Sequence, residues 1–310
     1  MRITVLLGGP SAEREISLIS GKAVADALRK AGHDVFESDI SPTNRAGLDR
    51  PCDVVFPVLH GAFGESGELQ EILESRRMPF VGSSSRASHL GMDKVETKLI
   101  WEQNSLPTPP WHVAMPGAPG SVRGPNRISA PCVVKAINSG SSIDVYICKE
   151  EPQARDAIAK VLHAHGQALV EKLIVGTELT VGIFEERPLS PIRITTTREF
   201  FDFDAKYKGN SAKHDFELNL PGDVVKNVQE LARRAHEAIG CRDLSRVDLM
   251  LDQNHQPYLL EINTMPGFTS KSLLPEAAAH DGIGFVELVD RLVKRAKERG
   301  AGPDMEVSAA

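Results

Sequence analysis

Cysteine is scarce in this sequence, which has four cysteines in 310 residues. Their positions are scattered and show no CxxC spacing: Cys52, Cys132, Cys148 and Cys241. Zinc sites and disulfide frameworks need cysteines at short, repeated spacings, so we expect neither kind of site. We interpret the four thiols as small apolar side chains that are buried in the core.

Long apolar runs and an excess of positive charge are also missing. No stretch is long and apolar enough to span a bilayer, and the apolar run 3–7 is too short for a signal peptide. The formal net charge is -6, which argues against a nucleic-acid partner because such proteins need a basic surface. We expect a cytoplasmic globular protein of two or three domains that acts on small molecules, with no membrane partner.

The common phosphate-binding loops are absent as well. The Walker A pattern GxxxxGK[ST] occurs nowhere, and the glycine turn at Gly8 and Gly9 does not follow the dinucleotide pattern GxGxxG. The carboxylate of Glu13 after that turn would repel a pyrophosphate, but it could receive the ammonium group of a substrate. A purely structural strand-to-helix turn is the alternative interpretation.

Short apolar runs alternate with amphipathic segments in the first third of the chain. The runs 3–7 and 54–59 predict strands, and 18–28 has the spacing of a helix that Ser11 can cap and Gly32 can end. This alternation predicts an α/β fold that begins with a mainly parallel sheet covered by helices.

A second unit begins near Gly91 and a third follows Lys172. In the second unit we predict helices over 92–103 and 153–165 and strands over 132–135, 145–148 and 168–172. In the third unit we predict helices over 224–239 and 285–297. These units give the domain ranges 1–90, 91–170 and 171–310.

The segments 246–251 and 258–263 predict a hairpin that carries a metal site. Residues two apart on a strand share a face, so Arg246 lies beside Asp248, and Glu261 beside Asn263. Two carboxylates and an amide oxygen suit Mg²⁺ that is held partly by phosphate oxygens. The buried face would then consist of Val247, Leu249, Leu260 and Ile262. On spacing alone, two amphipathic strands with solvated polar faces remain an equal alternative.

Three more clusters carry polar side chains in loops. His60 and Glu65 lie in a glycine-rich loop after a strand, where α/β sheets place ligands. Lys135 ends an apolar strand before the loop 139–142, whose backbone N–H groups and hydroxyls suit phosphate oxygens. Lys206 and Tyr207 follow an aromatic-rich segment, which by itself favours an ordinary hairpin edge.

In this order the clusters resemble the D-alanine-D-alanine ligases of the ATP-grasp superfamily over nearly the whole chain. The matching segments read LLGGPSAEREISL, LHGAFGESGELQ, GMDKVETK, VVKAINSGSS, EKLIVGTELTV, FFDFDAKY, SRVDLML and LLEINTMPGFTSKSLLP. The resemblance implies a three-domain ATP-grasp architecture in which the nucleotide lies between two α+β domains. It also implies ATP-dependent ligation of two D-alanines through an acyl phosphate, giving D-alanyl-D-alanine for peptidoglycan precursors, by a homodimer.

The resemblance assigns a role to each matching residue. The ATP-binding residues are Lys94, Lys135, Ser142, Glu171, Lys172, Leu173, Ile174, Glu178 and Lys206. Two Mg²⁺ ions, replaceable by Mn²⁺, are held by Asp248, Glu261 and Asn263. The catalytic residues around the first D-alanine and the oxyanion are Glu13, Ser141, Tyr207, Arg246 and Gly267. The substrate-binding residues are His60, Glu65, Ser272 and Leu273.

Several positions depart from the family pattern. Asp144 stands where a glycine normally follows the Ser-Ser loop, and the predicted lid over 200–220 carries His214 in an altered sequence. A carboxylate aimed at phosphates would oppose ATP binding, so we predict that Asp144 turns outward and pairs with a base such as Lys149. The altered loop leaves two alternatives open: a ligase with another acceptor, such as D-lactate, D-serine or another amino acid, and a catalytically silent nucleotide-binding relative.

Overall fold

The fold is taken from a computed structural model that describes residues 1–117, 122–123, 127–140, 144–196 and 212–301. The described residues form three sheets. The first consists of β1 (Arg2–Leu7), β2 (Asp34–Asp39) and β3 (Val54–Pro57), with β1 in the centre and all pairs parallel. Its helices are α1 (Arg14–Lys30), α2 (Ala62–Glu65), α3 (Glu68–Ser75) and α4 (Ser85–Met92). The predicted parallel α/β start of the chain is confirmed.

The second sheet follows helix α5 (Lys94–Gln103) and is antiparallel. Its strands are β4 (Trp111–Ala114), β5 (Val122–Arg123), β6 (Cys132–Lys135), β7 (Val145–Cys148) and β8 (Ala168–Lys172), in the order β5-β4-β8-β6-β7. Helix α6 (Glu151–His165) packs on this sheet. The three strands predicted in this unit have the predicted bounds. The helix predicted over 92–103 is interrupted, because the Asp93 carboxylate accepts hydrogen bonds from the N–H groups of Val95 (2.8 Å) and Glu96 (3.0 Å) and starts α5 anew.

The third sheet contains the predicted hairpin. Its strands are β9 (Gly176–Phe184), β10 (Arg187–Pro188), β11 (Ile192–Thr196), β12 (Ala212–Asp215), β13 (Leu244–Asp252) and β14 (Pro257–Asn263). The order is β12-β11-β9-β13-β14, with β10 on β9. The helices described in this part are α7 (Gly222–Ile239), α8 (Leu273–His280) and α9 (Phe285–Arg299). Among the helices that the structure describes, none is long and apolar enough to cross a membrane.

The last helix, α9, returns to the first sheet. Its buried residues Leu288 and Leu292 belong to the same core as Ile3, Val5 and Phe56. A polar junction lies beside this core and ties the first and third sheets together. There the fully buried carboxylate of Asp243 accepts the N–H of Gly82 at 2.8 Å and pairs with Arg295 (3.3 Å) and Arg299. The domain ranges given above stay predictions.

Two local predictions need correction. Ser11 does not cap α1: Glu13 occupies that position, and the Ser11 hydroxyl donates to the carbonyl of His60 at 2.6 Å while it accepts the N–H of Glu13 at 3.1 Å. In the hairpin, a bulge after Asp248 shifts the register, so that Leu259 rather than Leu260 is fully buried. The period-two rule fails there because the bulge inserts one extra residue.

The cysteine prediction holds for three of the four thiols. Cys132, Cys148 and Cys241 are buried, whereas Cys52 is half-buried, and all four are free. Burial raises the pKa of Cys132 and of Cys241 to about 12, so both stay protonated at neutral pH.

Candidate active site

The structure has a cavity of about 390 Å³. Its lining residues come from several separate parts of the chain, the first being Glu13 and the last Leu273. Ten of the residues that the sequence predicted for the site line it: Glu13, His60, Glu65, Lys94, Arg246, Glu261, Asn263, Gly267, Ser272 and Leu273. Ser141, Ser142, Lys206 and Tyr207 lie outside the described residues. Of the other predicted residues, Lys135, Glu171, Lys172, Leu173, Ile174, Glu178 and Asp248 do not line the cavity itself.

One end of the cavity is acidic and is built by the segments that follow strands β1 and β3, including the start of α1 and the short helix α2. Glu13 lies at the N-terminal end of α1, and Glu65 accepts the N–H of Gly61 at 2.6 Å. Gly61 has φ = +85°, a backbone conformation that favours glycine. His60 is buried, and its Nδ1 atom lies 4.0 Å from Oε1 of Glu65. Two carboxylates in a partly enclosed wall favour a cationic group of a ligand, such as an ammonium group.

The hairpin forms a second wall. In the observed register Asp248 lies directly opposite Glu261, and Arg246 directly opposite Asn263. The Arg246 guanidinium donates to both carboxylate oxygens of Asp248, at 2.9 Å and 2.7 Å, and the Thr180 hydroxyl donates to Oδ1 of the same carboxylate at 2.5 Å. The four polar side chains that strand periodicity placed together are therefore neighbours.

The hairpin residues fit a magnesium ion that is shared with a phosphorylated ligand. They offer two carboxylates and the amide oxygen of Asn263, which also accepts the N–H of Met265 at 3.0 Å. Within the described ranges, no group of three or more His, Cys, Asp and Glu side chains could hold a metal by itself. Mg²⁺ needs about six oxygen ligands, so an ion bound here would take the others from phosphate and water.

Of the two lysines predicted to contact phosphates, Lys94 lies close to a hairpin carboxylate and Lys135 pairs with a buried glutamate. The Nζ atom of Lys94 donates to the Ser139 carbonyl at 2.6 Å and lies 3.6 Å from Oε2 of Glu261. Lys135, at the end of β6, pairs with Glu171 on β8, with 2.6 Å between Nζ and Oε2. Burial lowers the pKa of Lys94, and the nearby charge of Glu261 opposes that change.

The segment predicted to border adenine connects the second sheet to the third. Glu171 and Lys172 end β8, residues 173–175 form the connection, and β9 carries Glu178. The N–H of Lys172 donates to the Pro110 carbonyl at 2.8 Å, and that of Leu173 to the Pro131 carbonyl at 3.3 Å. The Glu171 carboxylate is 2% exposed and is directed toward lysines. Its contribution to an adenine site would therefore come from its backbone.

The far end of the cavity is a turn before α8. A Cβ atom on Gly267 would lie 3.0 Å from Oγ of Ser272, which in turn accepts the N–H of Thr269 at 3.0 Å. This turn places the N-terminal end of a helix at the cavity, an arrangement that favours an anionic group such as a carboxylate.

Sequence reasoning missed several lining residues. Met92, His214, Thr269 and Lys271 line the cavity but were not assigned to it. Thr269 and Lys271 belong to the segment that supplied Ser272 and Leu273, so their position in that motif was the available signal. His214 reaches the cavity from β12, and its Nδ1 atom lies 2.6 Å from Oε2 of Glu276. Sequence spacing gave no sign of that long-range pair.

Comparison with known proteins identifies the family. The family model for the C-terminal part of D-ala D-ala ligase matches residues 100–294, and the model for its N-terminal part matches residues 37–83. D-alanine-D-alanine ligase of Anaeromyxobacter sp. (strain K) is 40% identical over 299 residues, covering 94% of this chain and 96% of the relative. The ligase of Rhodospirillum rubrum is 41% identical over 306 residues, covering 96% and 98%.

A solved structure supports the same assignment. D-alanine-D-alanine ligase from Bacillus anthracis complexed with ATP superposes with a TM-score of 0.81 at 28% identity, covering 96% of this chain and 98% of that one. The three-sheet α/β fold is thus that of the ATP-grasp ligases. The chain belongs to the D-alanine-D-alanine ligase family.

Proposed function

We propose that this protein joins two D-alanines to D-alanyl-D-alanine while ATP is converted to ADP and phosphate. One observation carries the proposal: a single cavity brings together Glu13, Lys94, Arg246 and Glu261. It therefore combines an acidic end that suits an ammonium group with cations and carboxylates that suit phosphate and metal chemistry. The dipeptide would serve peptidoglycan precursor synthesis.

The first step is a phosphoryl transfer. The carboxylate of the first D-alanine attacks the γ-phosphorus of ATP, and the bond between the γ-phosphorus and the β-phosphate oxygen breaks. The products of this step are ADP and an acyl phosphate of D-alanine. Glu13 binds the ammonium group of this D-alanine, and Lys94 and Lys135 neutralise the phosphates. Two anions have to approach each other, so catalysis depends on charge neutralisation more than on a protein nucleophile. Mg²⁺ held by Asp248, Glu261 and Asn263 would add to that neutralisation.

The second step forms the peptide bond. The neutral amine of the second D-alanine attacks the acyl phosphate carbonyl, and the resulting tetrahedral intermediate expels inorganic phosphate, which takes up the proton that the amine nitrogen loses. Arg246 and the backbone of Gly267 stabilise the oxyanion, while Ser272 and Leu273 receive the carboxylate of the second D-alanine at the start of α8. Because the acyl phosphate hydrolyses in water, the predicted lid over residues 200–220, of which 200–211 lie outside the described residues, would protect it when closed.

An assay of ADP release with single D- and L-amino acids tests the proposal. We expect ADP release that depends on D-alanine and Mg²⁺, with equal amounts of D-alanyl-D-alanine and ADP. ADP release with another amino acid alone would assign a different substrate. Binding of ATP without turnover on any amino acid would favour the catalytically silent alternative. A homodimer and a cytoplasmic location remain predictions.

A further inference from the structure

A third lysine, Lys98, lies behind the two that are expected to contact phosphates. It follows Lys94 by one helical turn on α5, and its side chain is fully buried. Its Nζ atom lies 2.6 Å from Oε1 of Glu171 and donates a hydrogen bond to the hydroxyl of Thr108. Thr108 donates in turn to the Leu259 carbonyl at 2.8 Å, on the metal-site hairpin.

Glu171 is therefore shared between two ammonium groups. Lys98 pairs with one carboxylate oxygen and Lys135 with the other, each at 2.6 Å. Burial acts to raise the pKa of Glu171, but the positive charges of Lys135 and Lys98 outweigh it and hold that pKa below its usual value. The carboxylate thus stays ionised beneath the cavity wall.

The charge balance of this buried group points to a role. Two lysines and one glutamate leave a net charge of +1, whereas Lys135 and Glu171 alone would be neutral. Burial lowers the pKa of Lys98 to about 8, and the Glu171 charge opposes that change, so most of the ammonium is charged at pH 7. A buried cation is costly unless it is paired, and here two ammonium groups share one carboxylate, with Glu102 as a weaker negative charge near Lys98.

We propose that Lys98 is a positioning residue for nucleotide binding: it shares and orients the Glu171 carboxylate, so that Lys135 is neutralised only in part and retains positive charge for the ATP phosphates. This inference rests on the proposed ATP-dependent function. It differs from a purely structural buried ion pair in one respect. Loss of a purely structural pair would lower the stability of the protein and so weaken the binding of every ligand. Loss of the proposed role would weaken the binding only of ligands that carry phosphates.

Substitution of Lys98 by methionine separates the two roles. Lys98→Met keeps the length of the side chain and removes its charge. We expect it to weaken ATP binding about tenfold or more, because a unit charge near a triphosphate is lost at low dielectric. Binding of adenosine, which has no phosphates, should change less than twofold. In steady-state assays the KM for ATP should rise while the KM for D-alanine stays within twofold.

A charge-conserving variant keeps the test decisive if Lys98→Met folds poorly. Lys98→Arg retains a positive charge beside Glu171. We expect its ATP affinity to stay within about threefold of that of the natural protein. Lys22→Met, at an exposed ion pair on α1, serves as the matched control and should bind ATP normally.

Calorimetric titration with ATP and with adenosine reads out all of these proteins, after circular dichroism has established folding. Equal weakening of ATP and adenosine by Lys98→Met would overturn the inference, as would unchanged ATP affinity. If Lys98→Arg bound ATP as weakly as Lys98→Met, the inference would also be overturned. If the natural protein bound ATP but formed no dipeptide, the proposed ligase function would fail while the test of Lys98 stayed valid.

Discussion

Glu261 on β14 lies directly opposite Asp248 on β13, and the Nζ atom of Lys94 lies 3.6 Å from one of its oxygens. The Glu261 carboxylate thus lies next to both the other hairpin carboxylate, Asp248, and the lysine at the start of α5. The bulge that follows Asp248 leaves this pair in register and shifts only the residues beyond it. The bulge therefore leaves the predicted polar residues together and changes only which apolar side chains are buried.

Replacement of Glu261 by alanine should abolish ligation and leave the fold intact. The variant lacks a carboxylate at the point where two anions must be held together, and we expect a rate loss on the order of 10² to 10³ or more. Dipeptide formation at saturating Mg²⁺ measures the loss. Glu298→Ala, an exposed position on α9, is the control and should retain full activity. Full Mg²⁺-dependent activity of Glu261→Ala would refute the metal-site assignment.

The Asp144 carboxylate, which we expected to turn outward and pair with a base, is hydrogen-bonded by neighbouring side chains and does not line the cavity. It contacts Nε2 of His165 at 2.7 Å and accepts the Tyr146 hydroxyl at 3.1 Å. These partners lie on α6 and β7, in place of the base at Lys149 that the sequence suggested. The residue has φ = +54°, a conformation in which glycine is less strained, which agrees with the glycine that this family usually has here.

Replacement of Asp144 by glycine should therefore change the KM for ATP less than about threefold, well under 1 kcal/mol. The reason is that a carboxylate engaged by His165 and Tyr146 opposes the phosphates little. Initial rates at varied ATP and saturating D-alanine give the value. An improvement of tenfold or more would mean that Asp144 weakens nucleotide binding, and would favour a weakened or repurposed enzyme.

Local periodicity was enough to predict most elements and the polar face of the hairpin. The strands 132–135, 145–148 and 168–172 have their predicted bounds, because each is a short apolar run between turn residues. Arg246, Asp248, Glu261 and Asn263 follow from the rule that alternate residues share a face. Such features depend on neighbours in sequence, so a single sequence contains the necessary information.

Features that depend on distant residues were missed. The pairing of Lys98 with Glu171 joins residues on α5 and β8, and that of His214 with Glu276 joins β12 and α8. The bulge after Asp248 cannot be predicted from the sequence of one strand, since it depends on how β13 and β14 pair with each other. The packing of α9 against the first sheet is likewise a tertiary contact. The amphipathic pattern of α9 predicts a buried face but does not specify which sheet covers it.

A buried histidine should make stability depend on pH. His236 is fully buried, its Nδ1 atom lies 2.7 Å from the Ser245 hydroxyl, and burial lowers its pKa to about 4. The unfolded chain binds this proton near pH 6.5, so the folded state loses stability as the pH falls from about 6.5 to about 4. The full loss is about 3 kcal/mol.

Urea unfolding at a series of pH values measures this loss. His236→Gln should flatten the decline in unfolding free energy between pH 6.5 and pH 4, because glutamine does not titrate. His163→Gln, at an exposed position on α6, should leave the decline unchanged. If His236→Gln and the natural protein declined equally, the acid sensitivity would have to come from other groups.

The last prediction concerns the acceptor, the second substrate of the ligation, which we predict to be D-alanine. Relatives that make depsipeptides with D-lactate typically replace the Lys-Tyr pair and place a histidine in the lid, whereas this chain keeps Lys206 and Tyr207 and has only His214 in that segment. Both residues lie outside the described ranges, so the prediction rests on sequence. His214 lines the cavity, and its ring is held by Glu276 at 2.6 Å. Product analysis at neutral pH with equal D-alanine and D-lactate should give mainly D-alanyl-D-alanine, and a dominant D-alanyl-D-lactate product would assign the enzyme to the depsipeptide-forming group.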